Sequence, residues 1–73
     1  MSQKEAIIDF ILREGSITQR QALRHLGIMR LASRISDLRK DGFVIDVEMV
    51  PVPTRYGKRT AIARYRIHSV VDE

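Results

Sequence analysis

Cysteine and tryptophan are absent from this 73-residue sequence, and its aromatic side chains are only two tyrosines and two phenylalanines. Without cysteine the chain can form neither disulfides nor thiolate metal sites, which fits a reducing cytoplasm. The scarcity of aromatics weighs against RNA as the partner, because splayed bases stack on aromatic rings and Tyr56 is the one obvious candidate. No apolar run approaches the roughly 18 residues that span a membrane, and Met1–Glu5 lacks the apolar core of a signal peptide. We therefore expect one cytoplasmic domain over residues 1–73.

Acidic side chains are scarce in the segments where basic ones gather. The whole chain has 13 lysines and arginines against 9 aspartates and glutamates, a net charge of +4. Thr18–Lys40 has six basic residues and one acid, and Arg55–Arg66 has five basic residues and none. The acids Asp41, Asp46 and Glu48 lie between these segments. Charge sorted in this way predicts a basic face and a polyanionic partner.

Apolar residues at helical spacing predict helices over residues 3–14, 19–26 and 30–41. Ser2 with Glu5, and Thr18 with Gln21, have the spacing of capping boxes, and a glycine follows each helix. Ile8 and Leu12 widen the apolar surface of the first helix. With Val70 and Val71 they form either part of the core or an apolar patch for a homodimer. The predicted core positions of the helices are Ile7, Phe10, Ile11, Ala22, Leu23, Leu26, Leu31, Ala32, Ile35 and Leu38.

After Gly42 the apolar period changes from helical spacing to alternation, which predicts strands over residues 43–50 and 60–67. Pro51 and Pro53 are expected to end the strand pairing, since proline cannot donate to a ladder. Ser16-Ile17 is long enough only for an isolated pairing. The predicted inward positions are Phe43, Ile45, Val47, Met49, Ala61, Ala63, Tyr65 and Ile67. Three helices followed by a hairpin that must pack on them predict an α+β winged helix-turn-helix domain.

The short turn at Gly27 is typical of a helix-turn-helix, in which the start of the next helix enters the major groove of DNA. Arg30, Ser33 and Arg34 are predicted to contact base edges there. Residues at the start of the second helix and in the hairpin loop are predicted to contact phosphates. The complete set of predicted DNA-binding residues is Thr18, Arg20, Arg24, Arg30, Ser33, Arg34, Asp37, Lys40, Arg55, Tyr56, Lys58, Arg59 and Arg64.

Several of these residues also have a structural interpretation. Thr18 can serve only as an N-cap, Arg34 can pair with Asp37, and the hairpin loop can be merely solvated. Arg39 is as consistent with a structural role as with DNA contact. The basic face as a whole could also dock on an acidic protein surface, because winged helices serve as protein-interaction modules too.

Catalytic and metal-binding patterns are missing from the sequence. Two histidines, His25 and His68, do not make a zinc site, and the serines have no identifiable base nearby. We therefore expect neither an enzyme nor a cofactor, and no small-molecule substrate.

The stretch Gly15–Ile67, about two-thirds of the chain, resembles a family of small helix-turn-helix domains common in phage and prophage genomes. The resemblance lies in GSITQRQALRHLGIMRLASRISDLRKDGFVID, which is similar to a pattern GSIT…A…LGxxRLAxRIxDLRxxGxxI. The strand Lys58–Ile67 is similar to KRxAxYRI, with two additional residues. The resemblance implies a winged helix, DNA binding in a bacterial host cell and no reaction.

Overall fold

Three helices precede a β-hairpin in the computed structural model, which describes residues 2–54, 57 and 59–68. The second helix starts as an α-helical turn, Gln19–Gln21, and continues as a π-helical segment, Ala22–Leu26; together they are called α2. This order of elements confirms the α+β winged helix predicted from the sequence. The other elements are α1 (Gln3–Glu14), β1 (Ile17–Thr18), α3 (Leu31–Lys40), β2 (Ile45–Pro53) and β3 (Arg59–Ile67).

Both predicted capping boxes form. The Ser2 hydroxyl accepts a hydrogen bond from the Glu5 backbone, and the Glu5 carboxylate accepts one from the Ser2 backbone. Thr18 and Gln21 make the same reciprocal pair at the start of α2. These bonds satisfy backbone N–H groups that have no partner within the helix, so the sequence fixes where α1 and α2 begin.

The hydrophobic core draws on every helix, on β1, on the turn before α3 and on the start of β2. No charged or polar side chain is buried among the described residues. Ile8, Leu26, Tyr65 and Ile67 pack against the core while keeping part of their surface exposed. The buried residues are Ile7, Phe10, Ile11, Ile17, Ala22, Ile28, Leu31, Ile35, Leu38 and Ile45.

The sheet has the order β1-β3-β2, so β3 is central and β2 lies at an edge. β3 pairs antiparallel with both neighbours, with Tyr65 opposite Ile17 on one side and opposite Val47 on the other. The short β1 thereby ties the base of the hairpin to the helices.

The prediction that Pro51 and Pro53 end the pairing is wrong, because both lie within β2 opposite Ala61 and Arg59. The reason lies in the register. The His68 N–H donates to the Val44 carbonyl at 2.7 Å. Because the ladder continues from there without interruption, the backbone N–H and C=O groups of the even-numbered residues of β2 point toward β3. The proline nitrogens therefore face the open edge, where no ladder bond is lost. β2 accordingly runs to residue 53 and begins at residue 45, not 43.

Some positions predicted to be buried are exposed. Leu23 is 52% exposed and Ala32 is also exposed, although both have the spacing of core residues. On the hairpin, Phe43, Val47 and Met49 keep 41–59% of their surface, and Ala61 is exposed too. A domain of this size has fewer core positions than the chain has apolar residues. Periodicity identifies an apolar face but not how far a neighbouring element covers it.

Candidate nucleic-acid interface

The turn between α2 and α3 is held by backbone hydrogen bonds and one buried side chain. The Gly27 N–H donates to the Leu23 carbonyl and the Ile28 N–H to the Ala22 carbonyl, both at 3.1 Å. Gly27 has φ +70°, a left-handed conformation that costs other L-residues about 1–2 kcal/mol. Ile28 is 1% exposed, whereas the adjacent Met29 points into solvent. The turn is therefore anchored in the core at Ile28, which sets the direction in which α3 begins.

Gln19 links both sides of this turn, a role that the sequence analysis missed. Its side-chain amide donates to the Ile28 carbonyl and accepts from the Leu31 backbone N–H, each at 2.8 Å. The second bond satisfies a backbone donor at the start of α3, where Arg30 provides no side-chain cap. One amide thus fixes the start of α2 against the start of α3.

We expect Gln19→Glu to lower the free energy of unfolding by about 1–3 kcal/mol, because a carboxylate cannot donate to the Ile28 carbonyl. Urea denaturation followed by circular dichroism measures this loss. Gln3→Glu is the matched control, since Gln3 is exposed in the first turn of α1, and its effect should stay within about 0.5 kcal/mol. Equal effects of the two variants would argue against the linking role of Gln19.

The solvent-facing surface of α3 consists of Ala32, Ser33, Ser36, Arg39 and Lys40, all exposed. Leu31, Ile35 and Leu38 on the opposite surface are buried. Lys40 and Ser33 thus lie on the solvent face, where the sequence analysis puts them. Ala32 and Ser36 lie on this surface too, although neither was among the predicted contacts. The visible signal for Ser36 was its place one helical turn beyond Ser33.

Arg34 and Asp37 lie beside this surface and bind each other. Their side chains are half-buried, and the Arg34 Nη2 is 3.4 Å from the Asp37 Oδ2. Arg39 donates from Nη2 to the Ile45 carbonyl at 2.7 Å, so it connects α3 to the first residue of β2. The structure therefore gives both arginines an intramolecular partner.

Ion pairs occupy two further regions of the described chain. Lys4 and Asp41 connect α1 to the end of α3 at 2.6 Å, and Arg13 pairs more loosely with Asp9 within α1. The hydrogen bond with Asp41, followed by its charge, raises the pKa of Lys4 above 10.5. On the outer face of the hairpin, two arginines and a histidine contact carboxylates across the two strands. These hairpin contacts are Arg64–Glu48, Arg66–Glu48 and His68–Asp46, at 2.6, 3.3 and 3.0 Å.

Arg64 therefore lies in an ionic cluster near the base of the hairpin. Its Nε and Nη2 both donate to the Glu48 Oε1, directly across from it in the register. The hydrogen bond from Arg64, followed by its charge, holds the pKa of Glu48 below its ordinary value of 4.5. The basic surface that the sequence predicts on this strand is thus neutralised in part by Glu48.

The Glu48 carboxyl should titrate with a midpoint below 4.5 in the folded protein. A depressed folded pKa means that the pair stabilises the fold above pH 4.5 and that this contribution is lost as the pH falls through the folded pKa. NMR titration of the carboxyl carbon in the wild type and in Arg64→Gln tests this, and the variant should move the midpoint upward. Arg13→Gln is the control and should leave it in place; an unchanged midpoint in Arg64→Gln would contradict the assignment.

Five further cations have neither a carboxylate within ion-pair distance nor a side-chain hydrogen bond in the described part of the chain; Arg39 also lacks a carboxylate, but it donates to the Ile45 carbonyl. All five are exposed. They lie on α2, in the turn before α3, at the end of α3 and at the start of β3. The members, which we call the unpaired cations, are Arg20, Arg24, Arg30, Lys40 and Arg59.

The hairpin loop connects β2 to β3 and contains three more of the predicted contacts. The Gly57 N–H donates to the Thr54 carbonyl at 3.2 Å. The predicted contacts Arg55, Tyr56 and Lys58 lie outside the described residues, as do Val70 and Val71 of the predicted dimer patch. Arg59 is the first residue of β3, so this unpaired cation adjoins the loop.

A cleft of about 410 Å³ separates the starts of α2 and α3 from the hairpin. Thr18 at the end of β1 and Gln19 and Arg20 of α2 line one side of it, and Leu31 and Ala32 line it from α3. The hairpin wall is mostly apolar and consists of Val52, Pro53, Ile62, Ala63 and Tyr65. Two of the predicted contacts, Thr18 and Arg20, therefore meet the exposed surface of α3 at this cleft.

The histidines have ordinary partners. The ring of His25 lies 5.6 Å from that of Phe10, and His68 contacts Asp46. Among the described residues, no group of three histidine, aspartate or glutamate side chains is placed to hold a metal ion. Within the same residues, none of the helices has the length and apolar character needed to cross a membrane.

The turn between α2 and α3 is held by the Gln19 amide, α3 has an exposed surface, and a β-hairpin follows as the wing. Together these features define the winged helix-turn-helix class of protein. The family profile described as a winged helix-turn-helix domain matches residues 2–70, and the chain belongs to this family. Membership suggests DNA binding, and such domains are typically modules without catalytic activity. In the same comparisons, no curated protein and no solved structure matches the chain.

Proposed function

We propose that the protein binds double-stranded DNA and acts as a transcriptional regulator or DNA accessory protein of a phage or prophage, in the cytoplasm of its bacterial host. The observation that carries the DNA-binding role is the separation of its charges. Among the described residues, the cations of α1 and of the base of the hairpin are bound to carboxylates, whereas the unpaired cations lie on or beside α2 and α3 and at the wing. Cations without acidic neighbours are available to phosphates. The resemblance of Gly15–Ile67 to phage domains supports the biological setting.

In this proposal the start of α3 lies in the major groove. Arg30, Ser33 and Ser36 contact base edges, while Arg20 and Arg24 contact phosphates beside them. Lys40 and Arg59 bind the flanking backbone, and the loop residues Arg55, Tyr56 and Lys58 extend the wing contact. Thr18 caps α2 and orients its first N–H groups. Arg34, Asp37 and Arg64 are left out of direct contact because each has an ionic partner.

Salt dependence of binding tests this function most directly. Six or more phosphate contacts should lower the affinity by about 10³-fold or more between 50 and 200 mM salt, since bound cations release counterions. The measurement is fluorescence anisotropy with a random duplex of about two helical turns. Folded protein that shows no binding at low salt would contradict the proposal.

A protein-interaction module is the second candidate function, and a groove between α1 and the end of α3 favours it. The groove has a volume of about 640 Å³, and its apolar part includes Ile8, Leu12 and Phe43. Leu12 is 73% exposed, so it does not belong to the core that the described residues form. A homodimer or a host nucleoprotein complex that used this groove would be weakened by Leu12→Glu, with DNA affinity per subunit unchanged.

A further inference from the structure

Small side chains occupy the solvent-facing surface of α3 in its first two turns. Ala32, Ser33 and Ser36 are exposed there, whereas the longer Arg34 lies to one side and is held by Asp37. Helix-turn-helix docking brings the N-terminal part of this helix against base edges. The groups available for base contact on the helix itself are therefore one methyl group and two hydroxyl groups.

The methyl group of Ala32 lies in an apolar setting that the serines lack. Ala32 lines the cleft between α3 and the hairpin, together with Leu31, Pro53 and Ile62. Serine hydroxyls donate or accept and so distinguish bases poorly. A methyl group makes a favourable contact only with another apolar group. The C5-methyl of thymine is the apolar group that a base edge presents in the major groove.

We propose that Ala32 and the adjoining wall of the cleft recognise the C5-methyl group of thymine. The preferred target then has a T·A pair facing the start of α3, and thymine at that position distinguishes it from other sequences. This inference rests on the proposed DNA-binding function and adds to it the chemical group of the DNA that the protein recognises.

The experiment starts from a duplex selected out of a randomised pool, in which each thymine is replaced in turn by deoxyuridine. Deoxyuridine keeps every hydrogen-bonding group and removes only the methyl. At one or two positions the affinity should fall about fourfold per methyl, the effect of exposing one methyl-sized apolar group. In Ala32→Ser, which replaces the methyl group by a polar hydroxymethyl group, the same replacement should have no effect.

Arg24→Gln is the matched control, because it removes a proposed phosphate contact and leaves Ala32 in place. It should weaken binding to both duplexes and keep the fourfold ratio between them. If wild-type protein binds thymine and deoxyuridine duplexes equally at every position, the inference about Ala32 is overturned while the DNA-binding function stands. An equal ratio in Ala32→Ser and wild type also overturns it. Absence of DNA binding by folded wild-type protein overturns both.

Discussion

Replacing Arg20, Arg24 and Arg30 together by glutamine should lower the affinity for duplex DNA by about a thousandfold at low salt. All three are exposed cations without a carboxylate partner, on α2 and in the turn before α3. A hydrogen bond to a charged group contributes about 1.5–3 kcal/mol, which is tenfold or more for each contact. The slope of log affinity against log salt should also become shallower by about 2, one unit for each of the lost phosphate contacts of Arg20 and Arg24.

A control of equal charge separates direct contact from the general field of the protein. The triple replacement of Lys4, Arg13 and Arg66 by glutamine also lowers the formal net charge from +4 to +1. These three cations are bound to Asp41, Asp9 and Glu48. This control replacement should lower the affinity for DNA less than about tenfold, since it reduces only the long-range electrostatic attraction between protein and DNA. Similar losses in the two triple variants, both folded by circular dichroism, would show that DNA does not contact α2 and the turn directly.

Leu38→Ala is expected to lower the free energy of unfolding by about 2–5 kcal/mol. Leu38 is 2% exposed and lies in the core on the inner surface of α3. The total stability of a chain of 73 residues is about 4–11 kcal/mol, so this loss is a large fraction of it. Removing the side chain leaves a cavity beneath α3, the helix that the proposed DNA interface requires. The apparent affinity for DNA should therefore fall as the folded fraction of the protein falls.

Leu12→Ala makes the same chemical change on α1 at a side chain that is 73% exposed. Its effect should stay within about 0.5 kcal/mol, and helix propensity cancels in the comparison because both leucines are in helices. Urea denaturation followed by circular dichroism is suitable, since the chain has no tryptophan. Comparable losses in the two variants would mean that Leu12 is covered in solution, for example in a dimer.

The helical part of the fold could be read from the sequence because its signals are local. Ser2 with Glu5 and Thr18 with Gln21 mark the helix starts through bonds between residues three apart. The end of β2 could not be read in the same way. Whether Pro51 interrupts a strand depends on which edge its nitrogen faces, and that follows from the pairing of residues far apart in sequence.

The candidate interface shows the same division between local and long-range information. The sequence indicates that Arg64 is basic and points outward, but only the register places Glu48 opposite it. Arg34 and Asp37 are three residues apart on a helix, so their pairing was among the alternatives. The bond from Gln19 to Leu31 joins two helices across the turn and has no local signature.

The open edge of β2 also affects how copies of the protein behave toward one another. Outward backbone donors on an edge strand can template strands of other chains, which leads to aggregation. On β2 the prolines at 51 and 53 remove two such donors, and Arg39 occupies the outward carbonyl of Ile45. The segment between Ile45 and Pro51, whose outward backbone groups could still pair with another strand, is short and includes Val47 and Met49. Strands of other chains therefore find few donors and carbonyls to pair with along the β2 edge of the hairpin.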